Sequence, residues 1–357
     1  MSNYFEYNNK IAFHPGYYIK EIIDDSGYNQ KEYAIRLNTT AKNLSCLING
    51  EQSISFDMAD KLYRITGIEV NTWFNLQNKY DAAVKEYEEI EEYEKEKAVL
   101  QKIGYKYFVD NYNLPDTIDT NAKISELRKL LSVSSLNILS NPQLLISFRT
   151  DKHNLEAINV EKANAMIQLA INEAIKKDLP DFNKNKFERS LKKIFNKYTI
   201  YNHIDEVIPE IKNIFESSGV NLVLLPNIKG SKVNGATKKI NHRIMILITD
   251  RKMNLDTFWF NLAHEASHVL NGDYSCSFDI NNEIGADLQA EELLIPSDEY
   301  NNFLAKNDLS IESIINFSNK IHRHPSIVVG RLQYENLLAY SNKGANSLKV
   351  PLKPFIQ

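Results

Sequence analysis

Apolar positions recur at helical spacing along most of this chain. Over the first eighty residues they predict five short helices separated by turn residues. His14-Pro15-Gly16 opens the first, which stops near Gly27, and Asn29 caps a second over residues 30–37. Asn38 sits where left-handed backbone is needed and leads into a third helix over 41–48, closed by Asn49-Gly50, with Ala34, Leu37, Leu44 and Leu47 turned inward. Residues 81–97 set Val84, Tyr87, Ile90 and Tyr93 at helical spacing among acids, the pattern of an amphipathic connector. More helices are expected between 100 and 151, then over 159–177, 187–198 and 204–218. The period then changes: residues 220–225 read as a strand, and 232–240 with 243–249 as a strand pair turning at Asn241-His242. Helical spacing returns at 257–272 and again up to Pro296, which ends its helix. Helices continue beyond it, and residues 342–357 are expected to be extended.

At 357 residues and 43% hydrophobic content the chain is long enough for two or three domains with sizeable cores. It contains no run of 18 uninterrupted apolar residues and no basic-then-apolar leader, so the expectation is a soluble cytoplasmic protein without a membrane partner. Cys46 and Cys276 stand in different contexts and give no disulfide framework. A formal net charge of −4 means that any nucleic-acid contact has to come from a local patch.

The chemistry concentrates in residues 257–272, which contain His264-Glu265-Ala266-Ser267-His268. Histidines at i and i+4 project from one helix face, about a turn apart, so both imidazoles can reach one Zn²⁺. Glu265 lies beside them, where a carboxylate can take a proton from water acidified by the metal. Phe258, Leu262, Val269 and Leu270 give the helix a buried side. The bland alternative is a core helix whose histidines only find hydrogen-bond partners. A catalytic zinc needs a third ligand, and the next helical stretch offers Glu283 for it, with Asp287 four residues on as an acceptor that orients one histidine. Ala286 and Ala290 are small enough for close helix packing. Solvated helix charges are the other reading of Glu283 and Asp287.

His264 to His268, followed by Glu283, Ala286-Asp287, Ala290 and Leu293-Leu294-Ile295-Pro296, resembles the ImmA/IrrE family of zinc metallopeptidases. The resemblance implies a small gluzincin-like endopeptidase that cuts a partner repressor or antitoxin. Two positions depart from the pattern: Ser267 stands in place of a glycine, and Gly285 in place of a glutamate. Residues 13–81 are similar to XRE-type, and more closely to HigA-type, helix-turn-helix domains. By that likeness Ala41, Lys42 and Cys46 face base edges of a double-stranded DNA operator, Gln30, Thr40 and Asn49 reach phosphates, and Asn43 reaches either. Acids and bases balance in this segment, so docking of a protein or dimerisation is the alternative.

Two weaker sites complete the reading. Asn234-Gly235-Ala236-Thr237 is a candidate edge strand on which a protein substrate adds as an antiparallel strand, Gly235 allowing a close backbone approach; a plain hairpin edge is the alternative. His324 and Arg331 are candidates for stabilising an oxyanion or a substrate carboxylate, against a default of capping and surface ion pairing. The expected architecture is therefore multidomain: an all-α helix-turn-helix domain (1–80), a helical connector (81–203) and an α+β zincin-like metallopeptidase domain with a small sheet (204–357). The expected function is that of a homodimeric DNA-binding regulator that cleaves a protein partner with Zn²⁺. The runner-up is an antitoxin-type repressor whose peptidase-like domain is a sensor or scaffold.

Overall fold

The computed structural model describes residues 4–7, 10–142, 159–252, 254–274 and 280–355. The chain forms two compact units, Met1–Lys95 and Glu96–Gln357. It is mostly helical, and no helix among the described residues is long and apolar enough to cross a membrane.

The first unit opens with an antiparallel hairpin, β1 (Tyr4–Tyr7) and β2 (Lys10–Phe13), which the periodicity did not foresee because each strand is only four residues long. Helix α1 (Pro15–Ser26) starts with Pro15 in its first turn and His14 Nδ1 accepting the Gly16 amide at 3.0 Å, and ends at left-handed Gly27. A side chain at Gly16 would stand 2.0 Å from the Leu47 carbonyl, so glycine is what lets α1 cross the end of α3 (Ala41–Ile48). Helix α2 (Gln30–Arg36) carries a capping box in which Asn29 and Glu32 bond each other's backbone amides. Asn38 has φ 47°, as its place in the turn requires. Helix α4 (Phe56–Thr66) completes a core of Ile19, Leu37, Leu44, Leu47, Leu62 and Trp73. The fifth helix is not short. Helix α5 (Val70–Ile103) absorbs the acidic connector into 34 continuous residues, because good helix formers follow one another without a break from Gly or Pro.

In the second unit α6 (Lys106–Tyr112) is followed by α7 (Thr120–Leu131) and a 3₁₀ turn at Leu136–Ser140, and these last two are tied by buried Glu96, which accepts from Arg128 Nε at 2.9 Å and from the Leu136 amide at 2.6 Å. Helices α8 (Val160–Ile175), α9 (Lys184–Tyr198) and α10 (Ile204–Glu216) follow. The contiguous unit thus takes in helices that the sequence reads as connector. A three-stranded sheet has the order β3-β5-β4, with β3 (Val220–Leu225) parallel and β4 (Gly235–Ile240) antiparallel to β5 (Arg243–Thr249). Ile244, Ile246 and Ile248 alternate into a core shared with α11 (Leu255–Asn271), while Met245 and Leu247 are fully buried on the opposite face; α8 also packs on the sheet.

Helices α12 (Ile280–Leu294), α13 (Ser297–Leu304), α14 (Ile311–Lys320) and α15 (Pro325–Tyr334) close the unit. The tail is not wholly extended: α16 (Lys343–Asn346) forms one turn, capped by Asn342. Beyond it the Val350 carbonyl accepts the Leu255 amide at 2.9 Å, and the Phe355 ring packs on Phe258. Part of the helical segment expected over 100–151, and Cys276, lie outside the described residues. Cys46 is a free, half-buried thiol.

Candidate functional site

Helix α11 is buried over most of its circumference. Leu255, Phe258, Trp259, Leu262, Ala263, Ala266 and Val269 all lie in the core, and left-handed Gly272 stops the helix after Asn271. This is why both histidines are buried, with 0% exposure at His264 and 2% at His268. Helix α12 packs along it with Ala286 and Ala290 fully buried, the close approach that small residues allow, and this carries Glu283 to the histidines.

Three ligand-type side chains meet there. The two Nε2 atoms are 3.1 Å apart, and the Glu283 carboxylate places Oε2 at 3.4 Å from His264 Nε2 and Oε1 at 3.4 Å from His268 Nε2. Each histidine is fixed from behind: His264 Nδ1 lies 2.9 Å from Asp287 Oδ1, and His268 Nδ1 lies 3.2 Å from Asp273 Oδ2. Asp287 stands in the expected orienting position. Asp273 escaped the sequence reading, although an acid directly after the C-capping glycine, five residues past His268, was a signal for it. Phe260 stacks beside His264 at a centroid distance of 6.4 Å.

The charges follow from this packing. Burial alone lowers the pKa of His268, but the bond to Glu283 and the charges of Glu265, Glu283 and Asp273 together push it up to about 9. Burial alone raises that of Glu283, but hydrogen bonds and charge from His264 and His268 hold it down to about 2. Glu265 is raised by its burial, against the pull of both histidines and Thr237.

Glu265 sits against β4. Thr237 Oγ1 lies 2.7 Å from Glu265 Oε2 and donates to it, and a Cβ on Gly235 would stand 2.6 Å from Oε1. The close approach foreseen at Gly235 is thus made by the Glu265 side chain. Asn234, Ala236 and Thr237 are buried, and Asn234 accepts from Arg251 Nη1 at 2.8 Å. Both departures from the peptidase pattern are absorbed: Ser267 donates to the Ala263 carbonyl at 2.8 Å, and a side chain on Gly285 would meet open space.

His324 and Arg331 have other work. His324 Nδ1 accepts the Ser326 amide at 3.1 Å and so caps α15. Arg331 bonds Glu335 at 2.9 Å, reaches Glu291 at 3.3 Å and lies 4.1 Å over the Tyr300 ring. These are the capping and ion-pairing roles given as the default.

In the first unit Ala41 and Lys42 are exposed at the start of α3, Asn49 is exposed at its end, and Gln30 is half-buried at the start of α2. Thr40 caps α3 by accepting the Asn43 amide at 3.1 Å. The Asn43 side chain is engaged within the fold, donating to Thr39 Oγ1 at 2.9 Å and accepting from Gln52 Nε2 at 2.8 Å. Half-buried Cys46 is raised in pKa by its hydrogen bond to Glu51.

No protein-family model matches the chain. Among curated proteins it is similar over 69 residues, at 44% identity, to virulence-associated protein A' of Dichelobacter nodosus; the match takes in 19% of this chain and spans 60% of that relative's length. Over 79 residues it is 32% identical to the uncharacterized HTH-type transcriptional regulator YddM of Escherichia coli, covering 22% of this chain and 84% of the relative. A solved structure, that of a candidate antidote protein of a plasmid maintenance system from Nostoc punctiforme, is 35% identical and covers 23% of this chain and 91% of its own, with a TM-score of 0.23.

Proposed function

Since the chain belongs, through its N-terminal domain, to the family of helix-turn-helix transcriptional regulators, we propose that it is a DNA-binding regulator whose second unit is a zincin-like, zinc-dependent endopeptidase acting on a partner repressor or antitoxin. In this reading it works in the cytoplasm as a homodimer on a double-stranded operator. The observation that carries the peptidase part is the meeting of His264, His268 and Glu283, with the two Nε2 atoms 3.1 Å apart and one carboxylate oxygen of Glu283 3.4 Å from each of them. Tetrahedral Zn²⁺ with N and O ligands at about 2.0–2.2 Å needs donors roughly 3.3–3.6 Å apart; each Nε2 already stands 3.4 Å from a Glu283 oxygen, and the two Nε2 atoms, 3.1 Å apart, need to open only slightly to hold the ion. Backing of each histidine by a carboxylate supports the same reading.

His264, His268 and Glu283 would hold the Zn²⁺, which when bound would supply Lewis-acid chemistry, polarising a peptide carbonyl and acidifying water. The chain's own residues do the rest. Thr237 donates to Glu265 Oε2 and leaves Oε1 to hold the proton taken from the attacking water and pass it to the departing amide nitrogen. Asp287 and Asp273 keep the histidine rings in the tautomer and orientation that turn Nε2 inward. Gly235 and Thr237 of the edge strand β4 lie against Glu265, which supports strand addition by the substrate along residues 234–237.

A second reading is favoured by one observation: Glu265 is only 1% exposed. A general base so enclosed suits a domain that senses or scaffolds without turnover. The experiment that separates the two is Glu265→Gln, co-expressed with the products of neighbouring genes whose lengths are followed. Glutamine keeps the size but cannot accept the proton, so cleavage should fall by about 10²- to 10⁴-fold with metal content unchanged. Equal fragments from both forms assign the cutting to a contaminant. Absence of cutting by either form, with equal repression, favours the sensor.

A further inference from the structure

We propose that the exposed face of α9 is a second DNA-contact surface, in the C-terminal unit, that binds phosphates without reading bases. The inference rests on the DNA-binding reading above. The problem it addresses is one of charge: residues 1–80, which hold the helix-turn-helix, contain eight Lys and Arg against nine Asp and Glu, so this unit has no excess of positive charge with which to hold a polyanion.

Helix α9 is the opposite. It reads KNKFERSLKKIFNKY, with six cations against the single acid Glu188. Its apolar face, Phe187, Leu191, Ile194, Phe195 and Tyr198, is in the core, which fixes the other face outward. Lys186, Arg189, Lys193 and Lys197 then form one stripe at i, i+3, i+7 and i+11. At 1.5 Å per residue the stripe is about 16 Å long, a length over which one DNA strand presents about five phosphates. Lys186, Arg189 and Lys193 line a shallow groove whose other wall is formed by Glu210, Asn213, Ile214 and Ser217 in and just after α10, Glu210 being paired with Lys197.

A run of charge on a helix is usually a solvated face, and the rest of this chain illustrates how such faces are built. Lys61 pairs with Asp57 and Arg64 with Asp60 on α4, Lys95 with Glu91 on α5, Lys106 with Asp110 on α6, and Lys129 with Glu126 on α7, each three or four residues apart. Helix α9 places cations at those spacings instead, as in Lys186 with Arg189 and Arg189 with Lys193, an arrangement that destabilises a helix. Three of the four acids of neighbouring α10 are engaged as well: Glu210 by Lys197, Glu216 by Lys177 and Asp205 by Lys353, while Glu206 is exposed. Lys186 and Lys192 have no salt bridge among the described residues. With six cations against Glu188 on the helix and Glu210 beside it, α9 keeps an excess of positive charge on a chain of net charge −4, and that face is complementary to a polyanion. Tethered to a helix-turn-helix, it gains its contacts at high effective concentration once the first unit has bound, which favours DNA over an acidic protein.

The test uses the full chain and a labelled 30-base-pair duplex of random sequence, titrated from about 25 to 200 mM salt, a range over which phosphate contacts dominate affinity. The variant Lys186→Gln/Arg189→Gln/Lys193→Gln is compared with a control that removes the same charge elsewhere, Lys106→Gln/Lys129→Gln/Lys176→Gln. With about 0.9 of log-log slope per phosphate contact, the α9 variant should flatten the salt dependence by about 2–3 and lose at least about tenfold in affinity at 100 mM salt. Its thermal midpoint and the control's slope should match wild type. If wild type binds but the α9 variant binds equally well, or if both variants lose equally, the surface is refuted while the DNA reading stands. If wild type fails to bind at the lowest salt, both fall. Loss of binding to poly-L-glutamate with duplex binding intact makes the partner an acidic protein and overturns the proposal.

Discussion

Gly235→Ala sets two physical effects of opposite sign against each other. Gly235 lies within β4 and its backbone is not in the left-handed region. Judged locally, alanine should stabilise the strand, since glycine costs roughly 0.5–1 kcal/mol relative to alanine within an element. The tertiary structure reverses the sign. The new Cβ would stand 2.6 Å from Glu265 Oε1, 2.8 Å from Cγ and 2.9 Å from Cδ, with the carboxylate held in place by Thr237. Overpacking of this kind costs about 1–3 kcal/mol, which lowers the thermal midpoint by roughly 2–4 °C per kcal/mol in a domain of 150–250 residues; this unit is of about that size. The assay is a double-mutant cycle by thermal or urea unfolding: wild type, Gly235→Ala, Glu265→Ala and both together. Removing the carboxylate gives the methyl group room, so the penalty should vanish on the Glu265→Ala background, a coupling of at least about 1 kcal/mol. A stabilising Gly235→Ala, or the same penalty on both backgrounds, refutes the reasoning.

Metal analysis after dialysis should find stoichiometric zinc in wild type and little in His264→Ala or Glu283→Ala; full zinc in either variant removes that residue from the ligand set. Asp273→Asn should weaken zinc binding by about 10- to 100-fold, as losing a carboxylate behind a ligand histidine does, measured by competition with a chelator, and an unchanged affinity makes Asp273 a bystander. The pH dependence has two opposite arms. In the metal-free protein the folded pKa of His268 is raised to about 9, so its contribution to stability is complete below the unfolded value of about 6.5 and is lost as pH rises through 9. Zinc must displace that proton, so affinity should climb with pH between 7 and 9, and a flat calorimetric profile there contradicts the assignment. In the first unit, Lys42→Ala should weaken operator binding more than Lys79→Ala in a gel-shift titration, whereas equal losses favour protein docking.

Much of this protein is written in local pattern. The helix-turn-helix boundaries follow from Asn29, Asn38, Thr40 and Gly50, because caps and left-handed turns are decided by a few neighbouring residues. The strands of residues 220–249 follow from a change of period, and the gathering of His264, His268 and Glu283 from spacing on two helices with small residues between them. What local pattern could not settle is whatever depends on partners distant in sequence. The connector proved continuous with α5 because nothing in its own residues dictates where one domain stops. Asp273 became the support of His268 only through the path of the chain after Gly272. Gly235 reads locally as an invitation to another backbone, yet the group that fills the space is Glu265, thirty residues later in the sequence, brought there when α11 packs on β4. Periodicity fixes which face a residue occupies, since it is set by backbone geometry. What meets that face is set by packing, which sums weak contacts over the whole unit and has no local signature.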